Sequence, residues 1–151
     1  MGNKSDLDYE KMIKEIVKLK AIDERQFLEP ISEGKWSVRE IIGHLYYWDK
    51  FILEHHVPFM IGGAQLSAFP DHDSHNKEGI EYISVYSTTC SLIDEFVLNR
   101  QLLIQKTSEL ENNAEFTIGT GERQFTIDEY LKIFVDHDSH HLKQINEYLT
   151  S

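Results

Sequence analysis

A single cysteine, Cys90, denies this chain an intramolecular disulfide and fits a reducing compartment. Only three prolines interrupt 151 residues, so little in the chain breaks helices. Nowhere does an apolar run approach the ~20 residues of a membrane span. Positive charge is also scarce: 15 Lys and Arg stand against 26 Asp and Glu, for a net charge of -11. That balance argues against nucleic acid and an anionic membrane surface as partners, because phosphate contacts need a basic face. An acidic surface instead favours solubility and attracts cations. No signal-peptide core follows Met1, and Asp6 stands where myristoylation of a Met1-Gly2 start wants Ser or Thr. The expectation is a cytoplasmic protein of one domain, residues 1–151, long enough to bury a real core.

Four segments carry helical periodicity. The first runs from Asp6 to about Phe27, with Tyr9, Ile13, Ile16, Val17 and Lys20 tracing one face, and Glu29-Pro30 ends it. Ser37-Val-Arg-Glu40 has the form of a capping box, opening a second helix that runs to about His56, before Pro58. A third spans about Ile83 to Leu110 on the stripe Leu92, Phe96, Leu103 and Leu110. Thr126-Ile-Asp-Glu129 is a second capping box, and the fourth helix runs to about Tyr148. Met60 to Tyr82 reads as a long crossover with a short helix near Lys77–Tyr82. Glu115 to Phe125 reads as a β-like excursion around a Gly-Thr-Gly turn. The fold class is therefore all-α: a four-helix bundle with a long crossover between helices two and three and a short β-like turn before helix four.

Chemistry concentrates in the histidines. His137 and His141 stand one turn apart on the fourth helix, whose apolar stripe centres near Ile127, Leu131, Phe134 and Ile145. At ~100° per residue, His141 falls within ~60° of that centre and His137 at its edge on the same side. His140 faces nearly the opposite way, into solvent. On the second helix Ile41, His44, Trp48, Phe51 and His55 share a face, so His44 points inward. His55 is too far along the axis to join it, and His56 is expected outside. Each inward histidine alone fits a hydrogen-bonded core residue. Three together either find other partners or converge on an ion, an arrangement that leaves a metal site with an open position. Spacing alone leaves both readings open. Asp138 lies on the same stripe, with three possible roles: a surface partner, an acceptor for an imidazole N–H, or a general base. Asp-His-Asp-Ser-His occurs twice, at Asp71–His75 and Asp136–His140. The first copy has no predicted helical frame and reads as coincidence, or as a loop capping the site. Cys90 reads as a small packed residue.

The run Trp36-Ser-Val-Arg-Glu-Ile-Ile-Gly-His-Leu45, with Thr126-Ile-Asp-Glu-Tyr-Leu and His137-x-x-x-His141-x-x-Gln-Ile145, resembles the DinB/YfiT-like superfamily of metal-binding four-helix bundles. The resemblance covers nearly the whole chain. It implies that His44, His137 and His141 are a complete metal triad for a divalent ion, commonly zinc, nickel or iron. It also implies a homodimer. Related proteins include thiol S-transferases using bacillithiol, mycothiol or glutathione, a thiol-dependent isomerase, and metal-dependent hydrolases. The expected function is thus a metal-dependent enzyme acting on a small molecule, a thiol S-transferase with a low-molecular-weight thiol as co-substrate, or a hydrolase. The alternatives are a non-catalytic bundle that binds a small molecule or protein, and a bundle whose histidines are purely structural.

Overall fold

The computed structural model describes residues 4–151, so the Met1-Gly2 start lies outside the described residues. Helix α1 (Asp6–Lys18) is tied at its start to the last helix, since the Ser5 N–H donates to Asp128 Oδ1 at 2.8 Å. The first expected helix is not continuous. After a 3-10 turn at Leu19–Ala21 the chain extends through Ile22 and Asp23. The Asp23 side chain then accepts the Arg25 N–H at 3.1 Å and starts a separate short helix, α2 (Glu24–Leu28). An aspartate that can bond its own downstream backbone competes with helix continuation, and here it wins.

Ser37 and Glu40 close both bonds of their capping box and open α3 (Val38–Phe51). Beyond Phe51 the helix widens into a π turn, Ile52–His56, followed by a 3-10 turn, Val57–Phe59. One extra residue in a turn rotates everything after it by ~100°. This reverses the expectation for two histidines: His55 is exposed, while His56 is fully buried. His56 Nε2–H donates to the Ser67 carbonyl at 2.8 Å, which leaves Nδ1 to accept the Tyr130 hydroxyl at 2.5 Å.

The crossover carries more structure than its sequence suggests. Gln65–Leu66 forms strand β1, which pairs in parallel with β2 (Glu115–Ile118), and β2 pairs antiparallel with β3 (Phe125–Thr126). A two-residue strand has no period to read, so only its partner reveals it. Helix α4 spans His72–Tyr82, not merely its second half, because Asp71 caps it by accepting the Ser74 N–H at 3.0 Å. The first Asp-His-Asp-Ser-His is therefore a helix start. Glycines on α3 and α4 let this segment pack closely: a Cβ on Gly79 of α4 would lie 3.0 Å from Tyr47, and one on Gly43 of α3 2.6 Å from Ile83, in the 3-10 turn that follows α4.

The third bundle helix, α5 (Thr89–Ser108), starts later than Ile83, which lies in a 3-10 turn. Thr88 and Ser91 form a capping box there that lacks the usual Glu or Gln, which hides it in the sequence. Thr126 and Glu129 cap α6 (Ile127–Thr150) as expected. Helices α1, α3, α5 and α6 make the four-helix bundle. Its interior divides into two apolar clusters, one around Ile16, Ile42, Leu92 and Phe96, the other around Tyr9, Trp48, Leu103, Tyr130 and Leu131. Among the described residues no helix is long and apolar enough to cross a membrane.

Candidate metal centre

Helix phase brings three imidazoles to one point. His44 from α3 and His141 from α6 are buried, and His137 is half-buried between them. His137 Nε2 lies 3.0 Å from His44 Nε2 and 3.1 Å from His141 Nε2. Candidate ligand atoms of the three residues all lie within 4.8 Å of one another.

Protons alone do not satisfy this geometry. An imidazole nitrogen carries either one lone pair or one hydrogen. His137 Nε2 therefore serves one neighbour as acceptor or donor, but not both at full strength. A cation at the point of convergence takes a lone pair from each ring, and N–M distances of ~2.0–2.1 Å are compatible with neighbouring nitrogens about 3 Å apart. The donor set thus fits a divalent ion of intermediate softness.

The rings are also held in the protonation state that ligation requires. Burial, and then the neighbouring imidazoles, push His44 down to about 3. Burial pushes His137 down to about 4, with His141 the next contributor. His141 is lowered by burial and partly supported by Gln144. The His141 Nδ1–H donates to Gln144 Oε1 at 2.8 Å, which keeps the free lone pair on Nε2. His44 Nδ1 is buried without a hydrogen bond, and Asn76 stands beside it.

Asp138 is neither at the surface nor on an imidazole. Its carboxylate takes two bonds from Arg100, Nη1 to Oδ2 at 2.6 Å and Nη2 to Oδ1 at 3.2 Å. Arg100 turns its other edge to Asp49, with Nε to Oδ2 at 2.8 Å and Nη2 to Oδ1 at 2.9 Å. The guanidinium is fully buried at the junction of the two apolar clusters, 4.5 Å from the Tyr9 ring centre and 5.0 Å from that of Phe96. Sequence reasoning passed over Arg100 and Asp49. A signal was present: opposite charges sit on the inward stripes of three different helices, where unpaired charge is not tolerated.

The triad opens into a cleft of about 660 Å³. Trp36, Trp48, Phe69 and Phe134 line it, and His72 and Asn76 reach it from α4. Helix α4 is pinned over the cleft rather than loose. The Trp48 indole N–H donates to Asn76 Oδ1 at 2.8 Å, and the His75 ring lies against Trp48 and Tyr47, with ring centres 4.3 and 4.5 Å apart. His140 is exposed, as its phase predicts, and stands at the rim. Cys90 lies outside the cleft, half-buried, with its Sγ 4.0 Å from the Lys20 carbonyl.

A family model described as the DinB superfamily matches residues 9–145. Among solved structures the chain is similar to YfiT from Bacillus subtilis, described as a probable metal-dependent hydrolase with an unusual four-helix bundle topology. The two share 18% identity at a TM-score of 0.66, over 96% of this chain and 83% of that one. Comparison with curated proteins finds no match.

Proposed function

The chain belongs to the DinB superfamily, and from that premise we propose that it is a metal-dependent hydrolase of a small, uncharged molecule, with its ion held by His44, His137 and His141. The observation that carries this reading is the convergence of three Nε2 atoms at 3.0 and 3.1 Å on the floor of an apolar cleft. The description of YfiT as a probable metal-dependent hydrolase supports it.

A bound divalent ion supplies Lewis-acid chemistry, lowering the pKa of a water or thiol until a nucleophile exists near neutral pH. The protein's own part is to hold and to exclude. Gln144 retains the proton on His141 Nδ1, so that Nε2 stays free. Trp36, Trp48, Phe69 and Phe134 seat an apolar group and keep bulk water off it. Among the described residues no lysine or arginine lines the cleft. A thiol that carries carboxylates, such as glutathione, has no cationic partner there. This favours hydrolysis over the thiol transfer seen in some relatives.

The test is metal content and turnover of protein purified without a histidine tag. Wild type is expected to hold about one ion per chain and to cleave members of a panel of neutral aryl and alkyl esters and amides. His44→Ala is expected to remain helical and lose stoichiometric metal. A wild type with no bound ion and no melting shift on adding zinc or nickel would leave the non-catalytic bundle standing. Turnover only with a thiol and an electrophile would replace hydrolysis by thiol transfer at the same centre.

A further inference from the structure

We propose that Arg100 is the positioning residue of this centre, a rigid clip that holds α3 and α6 in the register at which their histidines meet. The inference rests on the metal reading above. Helix α5 contributes no histidine to the triad, yet its Arg100 binds both helices that do. Asp49 lies five residues beyond His44 on α3, and Asp138 lies between His137 and His141 on α6. A guanidinium is planar, and its donors form a fixed fork. With one edge on Asp49 and the other on Asp138, at 2.6 to 3.2 Å, it sets how the two carboxylates stand to each other. The backbones carrying those carboxylates also carry the ligands, so axial sliding or rotation of either helix disturbs the fork and the triad together.

Stability alone is a weak account of such a cluster. Buried ion pairs are often replaced by apolar side chains at little cost, because desolvation offsets the attraction. Geometry is a better account, since a metal site loses affinity when its ligands shift by fractions of an ångström.

The test compares wild type with a triple variant, Asp49→Leu with Arg100→Met and Asp138→Leu, and with Arg100→Lys. Three quantities are read: melting of the metal-free protein, zinc affinity by chelator competition, and the visible spectrum of the cobalt-substituted protein. The triple variant is expected to fold, with zinc affinity down at least about tenfold as the ligands lose their spacing, the low end of the loss when a group bonded directly to a ligand is removed. Its cobalt bands should change in position and intensity. Arg100→Lys keeps the charge and loses the fork, and should show a smaller loss of the same kind. A folded triple variant with wild-type zinc affinity and an unchanged cobalt spectrum overturns the clip. Should the triple variant not fold, Arg100→Lys decides: zinc affinity within twofold of wild type and unchanged bands overturn it equally. Failure of the wild type to bind zinc at all is a different result, and it refutes the metal reading instead.

Discussion

Acidifying the metal-free protein from pH 8 to pH 5 should destabilise it by roughly 2 kcal/mol. In the unfolded chain each imidazole titrates near 6.5. In the fold, burial holds His44 at about 3 and His137 at about 4. Their stabilising contribution is complete above pH 6.5 and is lost as the pH falls toward those values, because the unfolded chain binds protons that the folded one refuses. At pH 5 each such histidine costs ~2 kcal/mol. Repulsion from His137 enters the His44 shift, so the pair together costs roughly 3 kcal/mol rather than the full sum. Asp49 acts in the opposite sense. Burial raises its carboxyl to about 6, although Arg100 opposes this. A raised carboxyl favours the fold at low pH, and at pH 5 it returns about 1 kcal/mol. Urea unfolding of chelator-treated protein at the two pH values measures the net effect, and a midpoint lower by ~1 M is expected at pH 5. His44→Ala should show a smaller drop. Stability at pH 5 equal to or above that at pH 8 would refute the claim that these imidazoles are held neutral by burial.

Two further outcomes follow from single hydrogen bonds. Gln144→Ala removes the acceptor on His141 Nδ1 and should weaken zinc binding about tenfold without changing the fold, as read by chelator competition. Tyr130→Phe strands His56 Nδ1, which is buried and hydrogen-bonded to none of the three histidines of the triad. It should lower unfolding stability by ~1–3 kcal/mol while leaving metal affinity intact.

Much of the bundle was legible in the chain. Helix starts at Ser37 and Thr126 are encoded within four residues, and both capping boxes form as written. Local hydrogen bonding of that kind does not need the rest of the molecule. The inward phase of His44, His137 and His141 was legible too, since it depends only on helical periodicity along each segment. Where local geometry departs from the regular helix, that arithmetic fails. The π turn at Ile52–His56 moved His55 out and His56 in, and nothing in the run Ile-Leu-Glu-His-His announces it. A widened turn persists because His56 then reaches Tyr130 and Ser67, partners 74 and 11 residues away.

What the sequence by itself determined is the inventory and the phase: which residues are imidazoles, on which helices, and facing which way. Tertiary structure alone decided the distances and the company. Two helices can both point histidines inward and still miss each other by a turn, because periodicity fixes rotation about an axis but not the offset between two axes. Packing sets that offset. Here it brings three Nε2 atoms to one point, packs α4 and the turn after it against α3 through the bare backbones of Gly43 and Gly79, and buries Arg100 between Asp49 and Asp138. The role of Asp138 was decided in the same way. Its partner lies 38 residues back on another helix, and only long-range packing could say that a carboxylate between two inward histidines would bond to an arginine instead.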